Sequence, residues 1–256
     1  MNSIITLYQD LTDVNGNLKN YTQELQTLER MKEEFLSIVK HEFSTPLVII
    51  SGYCEILTEL LPKDNLTKDQ LDSIKGIAKG IADLDKITTK ILDLYALQTK
   101  IIRFNKQQIN IREFMIKFST FYSSIMDSKD AKLINSVNED YFITYDPHRL
   151  WQVLDFLVEN ALSFIPEKSG IVEIGLKYTD EQIIFFVKDN GSGIPYNETG
   201  KLFQIFFQID SSKQRKHFGL GLGLPICKEI IEQLGGRIWI KSKEGIGTTA
   251  YFSIPK

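Results

Sequence analysis

The hydrophobic period of this chain changes once, near residue 105, and that change limits what the chain can fold into. Up to about residue 100, apolar residues recur at helical steps. Leu18, Tyr21, Leu25 and Leu28 alternate steps of three and four, as in a coiled coil. The steps slip at Met31, Phe35 and Ile38, a local break in the heptad. The stripe resumes through Ile49, Tyr53, Ile56 and Leu60. LPKDNLTKD (61–69) reads as a turn, and Thr67 or Asp69 can cap the helix that follows. That second helix carries Leu71, Ile74, Ile77 or Ala78, Ile81, Leu84, Thr88, Ile91, Leu92 and Tyr95, while Asp72, Asp83, Asp85 and Asp93 read as a solvated face. Two long amphipathic helices joined by a short turn make an antiparallel hairpin. One hairpin cannot bury both apolar faces, but two can, as a four-helix bundle. A homodimer is therefore expected.

Beyond residue 105, helical stretches (110–128, 147–164, 223–234) mix with strand-like runs. These are IVEIGLKY (171–178), IIFFVKD (183–189), RIWIKS (237–242) and TTAYFSI (248–254), the last two joined by KEGIG as a hairpin. An α+β domain with helices flanking strands follows. A net charge of −3 supplies no basic field for nucleic acid. Cys54 and Cys227 have no metal-ligand spacing and read as reduced, small apolar residues. No apolar run approaches the roughly 18–20 residues that span a bilayer. MNSIITLYQDLTDVNG lacks the basic-then-apolar form of a leader, so a cytoplasmic chain is expected.

Four short stretches carry chemistry. VKDNGSGIP (187–195) follows a strand; an aspartate with glycines at 191 and 193 fits either a plain turn or a backbone that comes close to a ligand. GLGLGL (219–224) precedes a helix, where bare N–H groups can meet phosphate, although alternating Gly and Leu can also serve close packing. Upstream, DPHRLWQVLDFLVENALSFI (146–165) places Asn160 inside a helix, where propensity gives no reason for it and an amide oxygen can ligate Mg²⁺. KHEFSTPLVII (40–50) sets His41 beside Glu42, with Pro46 in a helical context. His41 falls roughly 90° from the centre of the apolar stripe, at its margin.

In this order the stretches resemble the boxes of a sensor histidine kinase, over about residues 15 to 256. HEFSTPL (41–47) resembles the phospho-acceptor box, DPHRLWQVLDFLVENA the N box and DNGSGIP the first glycine box. LFQIFFQID (202–210) resembles the phenylalanine box, and GLGLGLPICKEIIEQLGGRIWIKSKEGIGTTAYFSIP the second glycine box with its closing hairpin. The resemblance implies α + α/β architecture. A helical-hairpin dimerisation domain, a four-helix bundle in the dimer, would precede an α/β sandwich ATP-binding domain of the Hsp90/gyrase type. The expected parts are a signalling coiled-coil helix (1–34), a dimerisation and phosphotransfer domain (35–100), a linker (101–106) and a catalytic domain (107–256).

The resemblance implies that His41 accepts phosphate from ATP, with Glu42 as base on the far imidazole nitrogen. Thr45 would orient the water in dephosphorylation of a partner, a response-regulator receiver domain, and Pro46 would bend the helix. Asn160 would hold Mg²⁺ against the phosphates, and Asp189 would accept the adenine amino group. Gly191 and Gly193 would leave room for the base, and Gly219, Gly221 and Gly223 would border the triphosphate at a lid, 210–220. Phe156, Ser163 and Gln208 stand where the family usually has asparagine, lysine and arginine, and Ser44 replaces a basic residue. Lys213, Arg215 and Lys216 either compensate at the nucleotide or form a solvated loop. A working kinase of modest ATP affinity is expected. The alternatives are a weakened kinase acting mainly as phosphatase or relay scaffold, and a non-catalytic dimeric module.

Overall fold

A computed structural model describes residues 47–57, 67–209 and 221–256. It divides into two compact units, the first ending at Leu92 and the second running from Asp93 to Lys256. The segment 1–34, assigned above to a coiled coil, lies outside the described residues, as does most of the turn at 61–69.

In the first unit, residues 47–57 form helix α1 and Lys68–Gln98 form α2, which continues into the second unit. Of the two capping candidates, Thr67 is the cap: its Oγ1 accepts from Gln70 N–H at 3.3 Å, and Gln70 Oε1 accepts from Thr67 N–H at 3.0 Å. This reciprocal pair satisfies two of the helix's orphan donors. Along α2, Ile77, Leu84 and Ile91 stand seven residues apart and remain 54%, 44% and 42% exposed. A seam of that period is apolar and exposed among the described residues.

The second unit is a five-stranded sheet with helices packed on one face. The strands are β2 (Ala131–Asn135), β4 (Gly170–Tyr178), β5 (Gln182–Asp189), β6 (Arg237–Lys243) and β7 (Gly247–Pro255), in the order β2-β4-β5-β7-β6. Only β2 and β4 pair parallel; the other neighbours are antiparallel. A two-stranded sheet joins β1 (Gln107–Asn110) to β3 (Phe142–Tyr145). The helices are α3 (Ile111–Ser128), α4 (Pro147–Phe164) and α5 (Gly223–Gln233). The core gathers alternate residues of the strands, Val172 and Ile174 on β4, Ile183, Phe185 and Val187 on β5, Phe252 and Ile254 on β7. They meet Phe118, Leu150, Leu154, Ile226 and Ile230 from the helices. Register partners Phe185 and Phe252 lie with rings parallel, centroids 4.8 Å apart. Trp151 packs edge-on among Phe114, Phe118 and Phe121, and Trp239 stacks on Tyr251, so both tryptophans serve packing.

Local chemistry starts the helices where the sequence signals it. Asn110 caps α3 by accepting from Glu113 N–H, and Asp146 caps α4 through Oδ1, which accepts from His148 and Arg149 N–H, with proline at the first helical position. The buried Asp146 also uses its other oxygen. Oδ2 accepts from Asn105 N–H at 2.8 Å, strapping the 101–106 segment to the unit.

Asp93 departs from the expectation of a solvated face. Its carboxylate takes Arg149 Nη1 at 2.8 and 3.0 Å and Gln152 Nε2 at 2.6 Å. Leu94 and Leu97 are buried in the core of the second unit, and Gln233 Nε2 donates to Leu97 O at 2.7 Å. The last turns of α2 thus pack as part of the second unit, and its boundary falls inside a helix.

Candidate functional site

β5 ends at Asp189, and from there the chain turns through Asn190–Pro195 against the hairpin between β6 and β7. Asp189 Oδ1 accepts two backbone hydrogen bonds, from Gly191 N–H at 2.8 Å and Thr248 N–H at 3.1 Å. Oδ2 accepts none from the described residues, so one oxygen fixes the group and the other is left for a ligand. Burial pushes the Asp189 carboxyl above the ordinary carboxylate range, and the two N–H donors pull against that shift.

The loop's glycines are placed by contact as well as by turn geometry. Gly193 has φ +69°, and a β-carbon there would collide with Lys243 O on the hairpin. The loop and hairpin approach so closely because that side chain is missing. Gly245 N–H donates to Ser192 O at 2.7 Å and Ile194 N–H to Ser242 Oγ at 2.8 Å, so the two segments are tied at both ends. Asn190 anchors the loop's outer side through Ile171 N–H and Ser169 O.

The second glycine segment faces the phenylalanine box. Gly221, at φ +67°, leaves no room for a side chain: a β-carbon would stand 2.5 Å from Phe207 O. Gly223 is different. It opens α5 over the Phe156 ring, and a β-carbon there would meet that ring at 3.7 Å, an ordinary contact. The fold does not need glycine at 223, whereas a ligand close to the helix start would. Among the described residues no side chain caps α5, and a helix start of this kind can meet an anion through the N–H groups of Gly223 and Leu224.

Asn160 is exposed on α4, one turn beyond the buried Phe156 that supports α5. It can therefore reach a ligand seated near the α5 start. The three departures are physical as well as textual. Phe156 packs under Gly223 and offers no polar group. Ser163 turns its hydroxyl back to Glu159 O at 2.8 Å. Gln208 is exposed. Asp189, Gly191, Gly193, Gly221, Gly223 and Asn160 are thus assembled on the second unit. His41, Glu42, Thr45, Pro46, Lys213, Arg215, Lys216 and Gly219 lie outside the described residues. Sequence reasoning missed Ser242 and Thr248, which reach the loop from the hairpin. Their only signal was the serine and threonines flanking KEGIG.

This arrangement can recognise a flat, amino-bearing base at a carboxylate and an anion at a helix start. Comparisons with known proteins give the chain's family and fold. Residues 145–256 match the family "Histidine kinase-, DNA gyrase B-, and HSP90-like ATPase", and residues 31–100 match "His Kinase A (phospho-acceptor) domain". The sensor protein kinase WalK of Staphylococcus aureus is 32% identical over 235 residues, covering 91% of this chain and 55% of that protein. WalK of strain JH9 matches at the same identity over 38% of its length. The chain therefore spans about half or less of the length of these curated relatives. Among solved structures, full-length ShkA in complex with AMPPNP shares the fold at a TM-score of 0.75 and 24% identity, over 87% of this chain and 45% of that one. Histidine kinase ThkA in complex with response regulator protein TrrA matches at a TM-score of 0.59 and 26% identity, over 87% of this chain and 61% of that one. On these matches and the assembled site, the chain belongs to the sensor histidine kinases of two-component systems.

Proposed function

We propose that this chain is an ATP-dependent protein-histidine kinase that phosphorylates its own His41 and passes the phosphoryl group to an aspartate of a response-regulator receiver domain. The observation that carries the reading is Asp189: one oxygen is held by two backbone donors and the other is open. That geometry suits the exocyclic amino group of adenine. The ATP phosphates then extend toward the α5 start, with Gly219, Gly221 and Gly223 along their path and Lys213 and Arg215 as the available cations. Asn160 would hold Mg²⁺, and the ion would supply charge neutralisation at the phosphates.

In the transfer, the His41 nitrogen forms a bond to the γ-phosphorus as the bond from that phosphorus to the β-bridging oxygen breaks, releasing ADP. Glu42 takes up the proton from the other imidazole nitrogen. Residues 35–100 act as the dimerisation and phosphotransfer domain and 107–256 as the catalytic domain, joined by 101–106, with 1–34 as an incoming signalling helix. The exposed heptad seam of α2 supports a homodimer. Thr45, four residues after His41 in sequence, suits a phosphatase activity toward the phosphorylated regulator, and the whole acts in the cytoplasm.

Phe156, which is buried, and Ser163, whose hydroxyl donates to Glu159 O of its own helix, remove polar partners from the phosphates, so ATP affinity is modest. The same two residues favour, as a second reading, a weakened kinase working mainly as phosphatase. Incubation with γ-labelled ATP separates the two. An acid-labile, base-stable label that disappears in His41→Ala is expected; no label in the unaltered chain would overturn the kinase reading and leave the second reading or a non-catalytic dimeric module.

A further inference from the structure

Ser242 is linked to the Asp189 carboxylate through Thr248, whose hydroxyl meets Ser242 and whose N–H meets Asp189. A hydroxyl has one proton and two lone pairs. Ser242 Oγ accepts from Ile194 N–H at 2.8 Å and donates to Gly247 O at 3.0 Å. The remaining lone pair takes the hydroxyl proton of Thr248, its register partner, at 2.8 Å. Thr248 N–H in turn donates to Asp189 Oδ1. One side chain therefore joins the far end of the 189–195 loop to the residue that orients the carboxylate.

The two donors on Asp189 Oδ1 respond differently to loss of that joint. The Gly191 bond is internal to the loop and persists if loop and hairpin part. The Thr248 bond joins the paired ends of β5 and β7, and its direction follows the Thr248 residue that Ser242 holds by the side chain. Without Ser242, Thr248 and the far end of the loop lose their shared anchor, and the aim of Asp189 Oδ2 is less fixed.

We propose that Ser242 is a positioning residue for nucleobase recognition: it locks loop and hairpin into one body and so aims Asp189 Oδ2 at the amino group of the base. This deepens the ATP-site reading and rests on it. The energy at stake belongs to a charge-assisted hydrogen bond, which is worth more when the acceptor is pre-aimed. A purely structural serine would weaken binding of every nucleotide alike. A positioning serine must weaken chiefly those carrying the amino group.

The test is isothermal titration of the full chain with Mg-ATP and with Mg-purine riboside triphosphate, which lacks the 6-amino group. In the unaltered chain, loss of the amino group weakens binding about tenfold. In Ser242→Ala, ATP binds about fivefold more weakly, and the penalty for losing the amino group shrinks to about twofold or threefold. Ser242→Thr, which keeps the hydroxyl, restores most of the discrimination. Where the alanine form does not fold, Ser242→Cys gives the same comparison with a weaker acceptor of similar shape. Equal weakening toward both nucleotides, or unchanged discrimination, overturns the proposal. Failure of the unaltered chain to bind ATP at all would instead remove the nucleotide reading beneath it.

Discussion

Removing the Asp93 carboxylate should destabilise the second unit by about 2 kcal/mol, and the contacts set that figure. The Asp93 and Arg149 side chains are 17% and 13% exposed, which places the pair between a surface salt bridge and a buried one. Surface pairs contribute up to about 1 kcal/mol, and truncating one partner of a buried pair costs about 3–5. Asp93→Ala also leaves Gln152 Nε2 without its 2.6 Å acceptor, while Arg149 Nη1 keeps Gln152 Oε1 at 2.6 Å. Those two effects oppose each other, which keeps the estimate in the middle of the range. The assay is urea unfolding of the full chain followed by tryptophan fluorescence. The protein has two tryptophans, Trp151 and Trp239, and both lie in the second unit, so the signal reports that unit alone. With a slope of about 2 kcal/mol per molar urea, the midpoint should fall by about 1 M. The double variant with Arg149→Ala should cost less than the sum of the two singles, because the partners lose the same bond. A shift under about 0.2 M, or strictly additive singles, would refute the claim that the end of α2 is built into the second unit.

Gly193→Ala should cost about 2 kcal/mol or more in the same assay, since it combines a left-handed backbone with a collision at Lys243 O; a midpoint like that of the unaltered chain would show that loop and hairpin are not in close contact. Gly223→Ala should leave the midpoint unchanged or slightly higher, there being room for a β-carbon over Phe156, and yet weaken Mg-ATP binding several-fold; loss of stability with binding intact would reverse that assignment. Asp189 carries a raised pKa, so the folded state holds its proton more tightly than the unfolded chain does. Its ionised form therefore costs stability above the unfolded value, increasingly as pH rises through the folded one. Asp189→Asn should melt at a higher temperature than the unaltered chain at pH 7, with the gap closing toward about pH 4; a lower melting temperature at pH 7 contradicts it.

The parts of the fold that could be read from sequence are those whose signal is contiguous. α3, α4 and α5 carry full helical periods, and β4 to β7 alternate over seven to nine residues. β1, β2 and β3 have no such signal and were not read as strands. They are four or five residues long, too short for a period, and exist because of distant partners: Ile109 pairs with Ile143, and Leu133 with Val172. The choice between Thr67 and Asp69 needed the position of Gln70. Asp93 looked solvated because its partner Arg149 lies 56 residues away in sequence. The site divides in the same way. The aspartate and glycines of DNGSGIP announce themselves in one loop, whereas Ser242 and Thr248 become visible only once β6 and β7 fold back onto it. Phe156 was legible as a departure, but its support of Gly223 was not.

The proposed function turns on adenine nucleotides being held through Asp189. Titration of the full chain with Mg-ATP and Mg-GTP tests this most directly, with Asp189→Asn in parallel. The predicted result is saturable one-to-one binding of ATP below millimolar concentration, at least tenfold weaker binding of GTP, and loss of that preference in Asp189→Asn. No heat with millimolar ATP, or an Asp189→Asn chain that still prefers ATP to the same degree, would contradict it.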